Sequence, residues 1–238
     1  MAADDRWWGA RARLQVSAWR GRDDTVVMTP VPDRPAPGVS DIERELDQLA
    51  ARGVTRVLTG ALHHGELTPF VQAGFAERER LHLLRHDLEH LPEPAAAVRH
   101  RRAWRRDQAA VLDIDARAFD EFWTLDRAGL ADALAATPLS RFRVATDRVV
   151  TGYAITGRAG RRGYLQRLAV DPDRQRAGVG VALVADSLRW LRRGGASAAV
   201  VNTQVGNDGA LALYLRTGFV PEPHGLTVLS HGMAEPPS

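Results

Sequence analysis

Apolar residues over 178–193 recur at spacings of three and four. Val181, Val184, Leu188 and Leu191 form one stripe, and Gly194-Gly195 ends the pattern, which predicts an amphipathic helix. Just before it, GYLQRLAV at 163–170 reads as a strand, as do RFRVAT at 141–146 and VVTGYAITG at 149–157, with a glycine-rich turn after the latter. A short strand near 98–104 and helices near 107–119 and 126–136 precede them. After the stripe come the β-rich run SAAVVNTQV, a helix in NDGALALYLRTG ending at Gly218, and a closing strand in LTVLSH. The order predicts an α/β (α+β) fold, a mixed sheet flanked by helices.

The first ninety residues repeat part of this order. TPFVQAGFAERERLHLLRH resembles ALYLRTGFVPEPHGLTVLSH: each gives a helix, then Gly-Phe, then a strand ending in histidine. RGVTRVLTGAL matches GGASAAVVNTQV, VSDIERELDQLAARG matches the glycine-led helix with Ile42, Leu46 and Leu49 on one face, and TVVMTPVPDR matches LQRLAVDPDR. The offset stays at about 140–145 residues throughout, the signature of an internal duplication. The expected organisation is a truncated copy over 1–90, a linker at 91–97 (LPEPAAA), a complete domain over 98–232 and a frayed tail over 233–238. Where the second copy reads PDRQRAGVGV, the first reads PDRPAPGVSD. Its prolines have no N–H to offer, so the first copy keeps the scaffold without an anion cradle.

Composition narrows the chemistry. Among 238 residues there is no cysteine, which excludes disulfides, thiolate metal sites and a cysteine nucleophile. All 32 basic residues are arginine, which excludes a Walker A loop and lysine Schiff-base chemistry. With 45% apolar residues the chain can bury a core. No secretory h-region and no transmembrane run of about 20 apolar residues occurs, so the expected location is cytoplasmic, away from membranes. The net charge is only +3, although VRHRRAWRRD at 98–107 concentrates arginine. No nucleic-acid motif accompanies that cluster, and a nucleic-acid partner is not expected.

The loop Gln175-Arg176-Ala177-Gly178-Val179-Gly180 opens the striped helix. A helix start leaves unpaired N–H donors at the positive end of the dipole, and glycines let a diphosphate approach the backbone. By itself this points to a pyrophosphate and names no cofactor. Leu183 stands where the Rossmann fingerprint needs a small residue. The strand, the Gln175-x-x-Gly178-x-Gly180 loop, the helix, a strand leading to Asn207 and then ALALYLRTGF together resemble the GCN5-related N-acetyltransferase (GNAT) superfamily, over roughly 98–232. The resemblance implies an acyl-CoA N-acyltransferase fold and an N-acetyltransferase using acetyl-CoA as cosubstrate and no metal. It implies that Gln175, Arg176, Ala177, Gly178, Val179 and Gly180 hold the pyrophosphate. Leu168, Ala169 and Val170 would meet the acetyl carbonyl and pantetheine arm, Asn207 the pantetheine chain, and Tyr214 would give a proton to the departing thiolate. The truncated first copy makes the arrangement similar to the tandem of mycothiol synthase.

Without cysteine, the route left is direct attack by an amine, at a protein N-terminus or on a small molecule, with a base to take its proton. Similar ribosomal-protein alanine acetyltransferases carry a glutamate where this chain has Asn202, which can order a water but not accept the proton. Replacement bases are sought in FDEFWTLD at 119–126, with Glu121 beside Asp120 as tentative base, and in Gln166, His224 and His231. An alternative is a catalytically inactive acyl-CoA-binding sensor or interaction protein. A homodimer is compatible with either reading. His82, His86 and His90 repeat every four residues, but on a strand such spacing is about 13 Å, too far for one ion.

Overall fold

The structure, a computed structural model, describes residues 13–19, 22–32, 34–93 and 98–232. Most of the expected linker (94–97) and the tail 233–238 therefore lie outside the described residues. In chain order the elements of the first part are β1 (Leu14–Trp19), β2 (Arg22–Pro30), α1 (Val39–Ala50), β3 (Arg56–Thr59), α2 (Leu67–Gln72) and β4 (Ala76–His86). Then follow β5 (Arg99–Arg102), α3 (Gln108–Ala118), α4 (Arg127–Ala135), β6 (Leu139–Asp147), β7 (Val149–Ala159) and β8 (Arg162–Val170). The chain closes with α5 (Val179–Arg193), β9 (Ala198–Gln204), α6 (Asp208–Arg216), β10 (Val220–Pro221) and β11 (Leu226–Gly232). The segments read from hydrophobic periodicity are present as helices or strands, with ends shifted by a few residues.

The chain forms two compact units. Of the described residues, the first takes those within 13–82, 204–206 and 223–232, and the second those within 83–203 and 207–222. β11, which sequence order joins to the second half, pairs antiparallel with β3 and with β4 and so belongs to the first unit. β1 has no forecast in the periodicity. It is a six-residue strand, antiparallel to β2, whose inward Leu14 and Val16 are the only alternation it offers.

In the first unit β2, α1 and β3 form a right-order βαβ unit with β2 and β3 parallel. α1 buries Ile42, Leu46 and Leu49, the stripe its sequence predicts. They pack with Met28, Val57 and Phe70, each 0% exposed.

The second unit is a mixed sheet in the order β9-β8-β7-β6-β5. β8 and β9 are parallel and the other neighbours antiparallel. Successive residues of a strand face opposite sides. Thus Tyr153 and Ile155 of β7 join Val111, Ile114 and Leu130 of α3 and α4, while Ala154 joins Leu183, Val184 and Leu188 of α5. Two apolar layers, one on each face, hold β7 at the middle of this sheet, with β8 beside it. β8 is the strand from which the candidate site is built.

Candidate functional site

β8 runs out at Val170 and the chain turns at Asp171. The Asp171 carboxylate accepts from the Asp173 N–H and caps a single 3-10 turn over Pro172–Arg174. Arg117 of α3 clamps the same carboxylate with two hydrogen bonds, 3.0 and 2.9 Å, so the start of the loop is fixed to the helix layer. Arg117 draws the Asp171 carboxyl below the usual carboxylate range. Gln175, Arg176 and Ala177 are exposed. Arg176 adopts φ 62° and Gly178 φ 81°, both left-handed. For arginine that costs about 1–2 kcal/mol, a strain the surrounding turn must hold.

Gly178 is the N-cap of α5 and has no side chain to satisfy the first turn. The Ala182 N–H finds the Gly178 carbonyl, which leaves the N–H groups of Val179, Gly180 and Val181 as the helix's unpaired donors. Val179 is buried against β7, where a Cβ on Gly152 would come within 3.0 Å of its Cγ1. Gly180 meets a different demand: a Cβ there would lie 2.9 Å from Leu213 Cδ2. Its smallness lets α6 approach α5 and thereby brings Asn207 and Tyr214 toward the loop.

The pairing of β8 with β9 covers Arg162–Tyr164 against Ala198–Val200 and, among the described residues, goes no further. Beyond it Leu168, Ala169 and Val170 pair with Ala154, Tyr153 and Gly152 of β7 on one side only. The backbone edge facing β9 is therefore open over the residues named for the acetyl carbonyl and pantetheine arm. A bulge marks the parting, since Leu165 and Arg167 pair with adjacent β7 residues and Gln166 is skipped. Gln166 donates to Thr137 Oγ1 at 3.4 Å, and its carbonyl oxygen is buried without a partner.

Asn202 is exposed on β9, two residues past the last β8 pairing. Asn207 is the N-cap of α6, its Oδ1 accepting from the Ala210 N–H at 3.1 Å, so its NH2 group is the part left for another partner. Tyr214 is 5% exposed, packed on Phe219 in the core with ring centroids 5.6 Å apart. Burial pushes its phenol pKa up, so the hydroxyl stays protonated at every ordinary pH. Glu121 and Asp120 are exposed in the segment joining α3 to α4, outside the edge-to-face pair of Phe122 and Trp123. His224, stacked on His64, and His231, beside Phe75, belong to the first unit. His82 and His86 lie on β4.

One group escaped the sequence reading. Asp115 is 0% exposed and receives both prongs of Arg167, at 2.8 Å each, together with the Tyr153 hydroxyl. Arg167 also donates to the Trp123 carbonyl, and the Leu125 N–H donates to Asp115. Its guanidinium sits 3.5 Å over the Phe119 ring. This cluster ties the 119–126 segment to the bulged stretch of β8. The signal was present: Val111, Ile114, Asp115 and Ala118 share one helical face, and a carboxylate on an apolar face needs a partner.

The first unit closes the start of its own helix α1 differently. The Gly38 N–H at the head of α1 donates to Asp41 Oδ2 at 3.0 Å, and Arg13 holds the same oxygen at 3.1 Å. A carboxylate of the chain itself occupies the place where the second unit leaves donors open.

Comparison with known proteins bears on the family and the fold. The model of the acetyltransferase (GNAT) family matches residues 96–219, just over half of the chain. N-alpha-acetyltransferase 30 of Xenopus laevis is 40% identical over 60 residues, 25% of this chain and 22% of that protein. The match thus spans about a fifth of the curated relative's length. A tandem GNAT protein from the clavulanic acid biosynthesis pathway superposes with TM-score 0.70 at 13% identity, covering 94% of this chain and 79% of its own. A GCN5-related N-acetyltransferase from Kribbella flavida gives TM-score 0.65 at 19% identity, with 95% and 89% covered. At those identities the structural likeness concerns the fold.

Proposed function

Since the chain belongs to the GNAT acetyltransferase family, we propose that it moves an acetyl group from acetyl-CoA directly to an amine, at a protein N-terminus or on a small molecule. The observation that carries this reading is the uncapped start of α5 behind the left-handed turn at Arg176 and Gly178, set beside a strand whose edge is open. The donor set suits the group: N–H groups of the first turn with Arg176 for a diphosphate, and free strand backbone for an amide-containing arm. Acetyl-CoA supplies the activated acetyl thioester.

The residues 175–180 bind the diphosphate, and Leu168, Ala169 and Val170 present backbone groups to the acyl carbonyl and the pantetheine arm. Asn207 offers its NH2 to the same arm. Tyr214, kept protonated by burial, donates a proton to the departing thiolate. Asn202 orders a water where the strands part, and Glu121 is the final proton acceptor. The first unit, its helix start closed by Asp41, is a degenerate copy that takes no CoA.

The alternative, an acyl-CoA-binding protein without turnover, rests on the exposed Asn202 in place of a carboxylate and on the apolar surroundings of Tyr214. The experiment is thiol release from acetyl-CoA with a panel of peptides and small amines. Turnover that falls in Tyr214→Phe supports the enzyme. Tight binding without turnover, unchanged in Tyr214→Phe, supports the alternative.

A further inference from the structure

The arginine-rich stretch at 98–107 has no part in acetyl transfer, and its strand β5 carries an unusual charge arrangement. Residues two apart on a strand share a face, so His100 and Arg102 lie together. Arg102 stands opposite Arg143 of β6, and Arg141 follows two residues away on the same face. Like charges placed directly opposite on neighbouring strands repel.

α5 covers this face with Asp186 and, one turn on, Trp190. Asp186 serves three partners at once: the Arg141 guanidinium at 2.9 Å, the His100 imidazole at 3.2 Å and the Arg143 guanidinium at 3.3 Å. Among the described residues no carboxylate reaches Arg102; His100 Nδ1 is buried without a hydrogen-bond partner, and Arg143 meets Asp186 through Nε and donates to the His100 carbonyl through Nη2 at 3.2 Å. Burial, Arg143 and Arg193 push the Arg141 pKa down against the pull of Asp186. Positive charge is therefore in excess on a partly desolvated surface.

A cavity of about 540 Å³ opens at this place, where β5 has ended and β6 continues. Arg102, Arg141, Arg143 and Trp190 line it from the face under α5, with Arg141 6.0 Å over the Trp190 ring, and Phe142 and Leu134 line it from the other face of β6. The volume is that of a small-molecule site. Guanidinium forks recognise oxyanions by paired hydrogen bonds, and an indole face accepts a flat ring.

We propose that this cavity binds a small oxyanion carrying an aromatic or heterocyclic ring, as a phosphate monoester or a carboxylate. The oxyanion bridges Arg102 and Arg143 and relieves their repulsion, while the ring lies against Trp190. The site uses nothing of the 175–180 loop, so it stands or falls apart from the acetyl-transfer reading.

The test is calorimetric titration of the full chain with phenyl phosphate, benzoate and inorganic phosphate. Saturable binding of a ring-bearing anion, tighter than inorganic phosphate, is expected; whichever of phenyl phosphate and benzoate binds tighter names the oxyanion. Arg143→Gln weakens it by about tenfold or more, equivalent to ~1.4 kcal/mol. Arg102 is exposed, so Arg102→Gln keeps the fold, checked by its melting temperature, and weakens binding in the same direction. Trp190→Leu removes the advantage of the ring, and Gly178→Glu, which acts on the separate 175–180 loop, leaves the affinity of this cavity for the ring-bearing anion at the parent value. Absence of saturable binding, unaltered affinity in Arg102→Gln, equal affinity for inorganic phosphate, or loss in Gly178→Glu overturns the proposal.

Discussion

Arg167 of β8 grips Asp115 of α3 with two hydrogen bonds of 2.8 Å, and Asp115 is wholly enclosed. Such a pair is costly to break, because the partner left behind is a buried charge without compensation.

Asp115→Ala is therefore expected to destabilise the protein by about 3–5 kcal/mol in urea denaturation. The double variant Asp115→Leu with Arg167→Met loses less than either single change, since it removes both charges together. Amide exchange at Leu125, whose N–H donates to Asp115, rises in the single variant. Equal losses in single and double variants would contradict an ion-pair origin.

Gly180 carries a packing prediction. Its Cβ position lies 2.9 Å from Leu213 Cδ2, so Gly180→Val forces α6 away from α5. A loss of about 1–3 kcal/mol is expected, as for overpacked cores generally. Leu213→Ala in the same chain recovers part of it. Thermal denaturation of the parent and the two variants decides the matter.

Periodicity made the helices and strands of the second unit legible, and the glycine-led loop was legible because its residue types are needed for a local backbone geometry. Val181, Val184, Leu188 and Leu191 say where α5 faces without reference to anything distant. Long-range partners were not legible in this way. Nothing local to LTVLSH reveals that β11 pairs with β3 and β4, nor that β8 and β9 part after Tyr164 and Val200. β1 offers too few alternating residues to rise above its arginine-rich surroundings. Glu121 is the base sought in FDEFWTLD, and the turn leaves it exposed while Phe122 and Trp123 pack on each other. The carboxylate that aromatics do surround is Asp115, reached by Tyr153 from a strand 38 residues away.

At the head of α1, Asp41→Ala removes the acceptor of the Gly38 N–H and the partner of Arg13. Loss of such a cap costs about 1 kcal/mol. Affinity for acetyl-CoA stays at the parent value if the first unit takes no CoA. Denaturation and calorimetry on one preparation check both halves.

His86 is 1% exposed, and burial pushes its imidazole pKa below the ordinary value while Asp87 opposes the shift. A depressed histidine prefers its neutral form in the folded state. Its stabilising contribution is fully present above the unfolded pKa of about 6.5 and is lost as the pH falls through the lower folded value. Burial depresses His231 in the same direction. Urea midpoints are expected to fall between pH 7.5 and 5, with a smaller fall in His86→Gln. These two pH values are about one unit above and ~1.5 below the unperturbed pKa.

The central claim is that the start of α5 holds the diphosphate of acetyl-CoA. Calorimetric titration of acetyl-CoA into the parent chain and Gly178→Glu tests it most directly. Gly178→Glu sets an anionic side chain at a left-handed position before the unpaired donors, and Gly178→Ala serves as the control for backbone strain, worth about 1–2 kcal/mol. The account predicts saturable binding in the parent, weakening in Gly178→Ala, and loss in Gly178→Glu with the fold retained. Parent binding of acetyl-CoA that persists unchanged in Gly178→Glu, or no binding in the parent, would contradict it.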